Sequence, residues 1–199
     1  MGFFDAILGR RTPVKPDLDQ LFALPSAAVT LQVSSGFTPT GVGSVCYRAS
    51  EGVAFASMQD DVQRLLDADG GPAVERVNDD FGFTWLVCRQ PPDDVSALVT
   101  ELHAGNRALE DAGFGSSLLC SLAVFEHADG RRLGLVYLYK QGTFYPFAPS
   151  GGAGRPSGGA GRQQRDNPLE LQMRGVLAND LTVEADLSRW MAVWGAPGL

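Results

Sequence analysis

Apolar side chains recur at helical spacing between Val95 and Leu109: Val95, Leu98, Val99, Leu102 and Leu109 fall on one stripe. Pro91-Pro92-Asp93-Asp94 supplies a stop and a cap before the stripe, and Gly113 a C-terminal stop after it. The spacing predicts a long amphipathic helix. The period then changes to two. Ser117–Glu126 and Arg132–Lys140 read as strands about Asp129-Gly130, a strong hairpin signal. Leu118, Cys120, Leu122 and Val124 alternate with Leu119, Ala123 and Phe125, so these strands are apolar on both faces. Such strands lie mid-sheet, and the C-terminal segment or a partner subunit must cover the second face.

Weaker patterns fill the remainder. Asp17 is placed to cap a short helix holding Leu18, Leu21 and Phe22. Ala28–Ser34 and Val42–Arg48 read as strands separated by Gly36, Pro39 and Gly41. Asp60-Asp61 is expected to open a helix with Val62, Leu65 and Leu66, closed by Gly70-Gly71. Ala73–Asn78 and Phe83–Arg89 form a second predicted hairpin around Asp79-Asp80-Phe81-Gly82.

After Ala148 the composition shifts. Ser150-Gly-Gly-Ala-Gly-Arg155 recurs as Ser157-Gly-Gly-Ala-Gly-Arg162. This duplicated tract lacks apolar anchors and reads as a flexible linker. Asn167-Pro168 then starts a helix whose Leu169, Met173, Val176 and Leu177 share a face. Trp190 and Trp194 in the last segment are expected to dock, because free tryptophans would leave a large apolar patch. Four segments follow: 1–16, an N-terminal amphipathic stretch; 17–149, the core domain; 150–166, the Gly/Arg-rich linker; and 167–199, a C-terminal segment packed back on the core.

Composition narrows the function classes. A formal charge of −7 over 199 residues argues against general nucleic-acid binding, which needs a basic face. The three cysteines, Cys46, Cys88 and Cys120, form no C-x-x-C pair and sit in apolar runs, which suits buried thiols in a reducing cytoplasm. No apolar run approaches a membrane span, and the N-terminus lacks the charge order of a signal peptide.

Signatures of chemistry are missing. There is no nucleophile elbow, Walker loop or H-E-x-x-H. Gly41-Val-Gly43 and Gly113-Phe-Gly115 read as turns. Asp60-Asp61 and Asp93-Asp94 read as helix caps rather than paired catalytic carboxylates. Asp67-Ala-Asp69-Gly70 lacks the later ligands of a calcium loop. His103 and His127 are the two neutral-pH bases in the sequence, and neither has a second ligand at metal spacing. No catalytic residue, cofactor or metal is assigned. The one hint of function lies at the N-terminus. Phe3, Phe4, Ile7 and Leu8 share helical spacing and are followed by Arg10 and Arg11. These six are the candidate docking residues, for a membrane interface, for the domain itself or for a partner.

Several segments together resemble the PspA-associated protein family called PspAB, of phage-shock-type envelope-stress gene neighbourhoods. They are Met1-Gly-Phe-Phe-Asp5 with Leu8-Gly-Arg10, Leu21–Ala28, Gly41-Val-Gly43, Phe81-Gly-Phe-Thr-Trp85, Leu109-Glu-Asp-Ala-Gly-Phe-Gly115, Leu135–Pro149, Arg165-Asp-Asn167, Leu169-Glu-Leu171, and Val193-Trp-Gly-Ala-Pro-Gly-Leu199. The resemblance implies a cytoplasmic accessory of PspA, the membrane-remodelling coat protein of that response, and it carries no catalytic residues. The helix-then-hairpin order also resembles the YbjN-like and type III secretion chaperone folds, at the level of architecture alone.

The expected fold is α+β: an antiparallel sheet with helices on one face and the C-terminal helical segment on the other. The expected function is a non-enzymatic adaptor that contacts PspA or another PspA-associated protein, with peripheral membrane contact and homodimerisation open. The alternative is a small cytoplasmic enzyme. A perturbed titratable cluster in a pocket would favour the enzyme, and an apolar surface patch the adaptor.

Overall fold

The computed structural model describes residues 16–49, 52–69, 71–150 and 163–199. Six strands form one open antiparallel sheet: β1 (Phe37–Arg48), β2 (Glu75–Asn78), β3 (Phe83–Arg89), β4 (Leu118–His127), β5 (Arg132–Leu138) and β6 (Thr143–Phe147). Their spatial order is β2-β3-β1-β4-β5-β6. β1 therefore lies between β3 and β4, and the β3–β4 connection, which contains the Val95–Leu109 helix, crosses it. Helices α1 (Leu24–Ser35), α2 (Val53–Leu66) and α3 (Val95–Leu109) pack on one face, joined by α4 (Asn167–Val176). The fold is α+β, as the sequence implies.

The long helix follows its pattern. Leu98, Val99, Leu102 and Leu109 are buried, and the Asp94 carboxylate accepts the Ala97 N–H at 2.9 Å as a cap. One wide turn, Glu110–Phe114, follows it, with Gly113 at φ 89°. Asp94→Ala is expected to cost about 1 kcal/mol of stability by urea denaturation; an unchanged midpoint would show that the cap contributes nothing. The Asp129-Gly130 hairpin also forms, with Gly130 at φ 85°.

Four expectations change. Ala28–Ser34 is helix, not strand. Leu24, Ala27, Ala28 and Leu31 are buried at helical spacing, Pro25 opens the helix, and Gly36 ends it at φ 72°. Asp60 and Asp61 lie inside α2 rather than at its start; Asp60 pairs with Arg76 at 2.9 Å and Asp61 with Arg64. Asp17 gives no side-chain cap to the 3-10 turn Leu18–Ala23; its carboxylate accepts from the Gln20 side chain. Gly41-Val42-Gly43 is an irregular step inside β1, not a turn. A Cβ on Gly41 would meet the Gln90 carbonyl oxygen at 2.0 Å, so the close approach requires glycine.

The C-terminal segment divides its work between the two faces. Leu169 and Met173 of α4, with Leu177, join the helical layer, and the tail beyond Trp190 covers the opposite face. Asp166, one residue earlier than the sequence suggests, caps α4 by accepting the Leu169 N–H at 3.0 Å. Between helix and tail, the Phe144 N–H donates to the Thr182 carbonyl (2.8 Å) and the Glu184 N–H to the Phe144 carbonyl (2.7 Å), so this stretch runs along the outer edge of β6.

The two ends of the glycine-rich tract are joined. Pro149 and Arg165 form an antiparallel bridge, and the Ser150 N–H donates to the Gln164 carbonyl at 2.7 Å. Deleting one hexapeptide copy from this closed loop is expected to change unfolding free energy by well under ~1 kcal/mol, since closure entropy varies slowly with length. A larger loss would mean that the repeat makes stabilising contacts.

Candidate functional site

The sheet face under the tail carries its own apolar cluster, built from alternate residues of its strands. Cys46 of β1, Trp85 of β3, Cys120 and Leu122 of β4, and Tyr145 and Phe147 of β6 point to it. Three contacts seat the tail there. The Trp190 ring stacks on Tyr145 with centroids 5.8 Å apart, and the Trp194 and Phe147 rings form a T-shaped pair with centroids 4.9 Å apart. The Tyr145 hydroxyl donates to the Met191 carbonyl at 2.9 Å. Trp190 is buried, whereas Trp194 is half-buried.

The tail does not reach the far ends of the strands. A pocket of about 380 Å³ remains there, walled by Phe83, Trp85, Leu119, Leu138, Val193 and Trp194, with Cys46 and Cys120 among its lining residues. Phe81 and Met191 also line it and are 58% and 64% exposed. Phe81 is fixed by its turn: one Asp79 oxygen accepts the Phe81 and Phe83 N–H groups, and the other accepts the Trp85 indole N–H, all at 2.9 Å. An aromatic at a hairpin tip was the available signal for this feature, and sequence reasoning passed over it.

Two titratable groups at the wall, Cys46 and Tyr145, are raised well above their ordinary values. Cys46 and Cys120 face each other in register across β1 and β4. The neighbouring Cys120 thiol and burial push the Cys46 thiol far up, and burial raises the Tyr145 hydroxyl. The third thiol, Cys88, lies on the helical face, where burial and the Glu101 carboxylate push it up to about 12. Alkylation of Cys88 by iodoacetamide at pH 8 is therefore expected to be roughly a hundredfold or more slower in the native protein than in urea. Mass mapping of the labelled cysteine checks this, and comparable rates would contradict it.

The remaining candidates lie apart. His103 sits 3.6 Å from Asp19 and against Phe22, and His127 lies 2.8 Å from Asp129 in the hairpin turn. The backbone N–H of Arg131, more than His127, holds the Asp129 carboxyl down at about 2. Asp67 accepts the Val74 N–H at 2.8 Å and so closes a turn. No group of three or more His, Cys, Asp or Glu residues suited to a metal ion occurs among the described residues. The docking candidates Phe3, Phe4, Ile7, Leu8, Arg10 and Arg11 lie outside the described residues. What the pocket offers is apolar surface with an exposed aromatic and an exposed thioether at its mouth.

The family model of PspA associated protein B matches residues 1–198. The chain belongs to this family. Membership links it to PspA and to the phage-shock theme, as the sequence segments imply. No curated protein and no solved structure matches it. Among the described residues of this PspA associated protein B family member, no helix is long and apolar enough to cross a membrane.

Proposed function

We propose that this chain is a non-enzymatic adaptor of a PspA-type envelope-stress response, acting in the cytoplasm by protein–protein contacts at the inner face of the membrane. The observation that carries the proposal is the exposed pair Phe81 and Met191 beside an apolar pocket, on a chain of a PspA-associated family. Large exposed apolar groups at the mouth of a pocket mark interaction surfaces. The raised Cys46 thiol and Tyr145 phenol at the pocket wall weigh against acid–base chemistry by these groups.

PspA is the proposed partner. Phe81→Ser with Met191→Ser is expected to weaken binding of purified PspA at least about tenfold by isothermal titration, the loss of one or two apolar anchors. Both side chains are largely solvated, so far-UV circular dichroism should not change. Undiminished binding would remove the pocket mouth from the contact. If instead the wild type sediments as a dimer that the double variant does not form, the surface serves self-association.

A second contact is assigned to Phe3, Phe4, Ile7, Leu8, Arg10 and Arg11. Deleting residues Met1–Arg11 is expected to spare the fold and to reduce co-sedimentation with anionic liposomes when PspA is present. The net acidic domain is repelled by anionic lipid, and one short apolar segment gives only marginal membrane affinity. Equal behaviour of full-length and truncated protein would eliminate this contact.

A further inference from the structure

The pocket has a polar end that apolar docking leaves unused. Arg48 and Lys140 both line it, and both are exposed. One turn contacts both residues. The Arg48 backbone N–H donates to the Ser117 carbonyl at 3.0 Å, and the Lys140 ammonium donates to the Ser116 carbonyl at 2.9 Å. The Arg48 guanidinium lies 5.8 Å from the Phe83 ring centre, over the apolar wall. Neither cation forms an ion pair with a described residue. The one carboxylate among the described lining residues, Asp79, is committed to three N–H donors.

Two cations without a carboxylate partner among the described residues thus line one apolar cavity, on a chain whose net charge is −7. A purely apolar occupant would offer neither cation a countercharge. A cationic occupant would be repelled. A volume of about 380 Å³ is at the small end of ligand sites, which run roughly from 300 to 1,000 Å³. It suits one hydrocarbon chain rather than two.

We propose that this pocket binds a free single-chain carboxylate amphiphile, a fatty acid. Its carboxylate lies between Arg48 and Lys140, and its chain runs inward past Leu119 and Leu138 towards Trp194. Charge-assisted contacts to the headgroup orient it, and burial of methylenes supplies most of the affinity. The site stands independently of any contact with PspA, which is absent from its test.

The test is titration of the full chain with dodecanoate below its micellar concentration, followed by tryptophan fluorescence and calorimetry. Trp85 and Trp194 line the pocket and report occupancy. Saturable binding of one dodecanoate per chain is expected. Arg48→Gln with Lys140→Gln should weaken it at least tenfold while leaving dodecanol binding unchanged. Dodecylammonium should not bind. The exposed positions of both residues keep the double variant folded, and its thermal midpoint checks this. Absence of saturation, equal binding of dodecylammonium, or a double variant that binds dodecanoate as the wild type does would overturn the proposal.

Discussion

Replacing Trp190 with alanine is expected to remove about 3–5 kcal/mol of stability, the usual loss for truncating a buried tryptophan. The ring is 6% exposed and stacks on Tyr145. Its indole N–H donates to the Glu184 carbonyl at 3.1 Å. Alanine leaves a cavity under the tail and a buried carbonyl without its donor, and the two losses reinforce each other. Trp194→Ala should cost less, because that ring is half-buried at the pocket wall. Urea denaturation followed by far-UV circular dichroism compares the two. A larger loss at Trp194 than at Trp190 would mean that the tail is held from its end rather than from its start.

Arg165→Ala is expected to be of similar size, about 3–5 kcal/mol, because it strands a buried charge. The Glu170 side chain is 3% exposed. Arg165 holds it in a two-pronged contact, with Nε donating to Oε1 at 2.9 Å and the second prong 2.8 Å from Oε2. Arg165 also donates to the Trp190 carbonyl at 2.6 Å and lies over the Phe147 ring at 5.1 Å. One guanidinium thus ties the end of the glycine-rich tract, α4 and the tail. The double variant Arg165→Ala, Glu170→Ala should be less unstable than the two single losses added together, since residues in one network couple. Strict additivity in chemical denaturation would show that the pair contributes no coupling.

The sequence made some of this legible and hid the rest for physical reasons. Helix α3 and the β4–β5 hairpin combine strong periodicity with proper stops, so local pattern and tertiary burial agree. In α1 they conflict. Val29 and Val33 are β-branched yet exposed, while two of the four buried positions are alanines, which carry little apolar signal. Strand propensity therefore outweighed a helical stripe that Pro25 and Gly36 had bracketed. Asp60-Asp61 looked like a cap because acidic pairs favour helix starts, but Asp60 reaches a distant strand residue, Arg76. The docking of the tail was legible from its tryptophans. The pocket was not, because Cys46, Phe83, Leu119 and Leu138 meet only once the strands are ordered and the tail has chosen its path.

The stretch from Thr182 to Glu184 beside β6 has a bearing on how this molecule can meet others. An open sheet ordinarily presents two unpaired rims to which any extended chain can add. Here one rim already has a companion from the same chain. The other is the four-residue β2, which bears Glu75 and Arg76. Strand addition is thereby discouraged at both margins. For the adaptor role proposed above, that arrangement would keep contact with a partner apart from strand-by-strand joining of further copies.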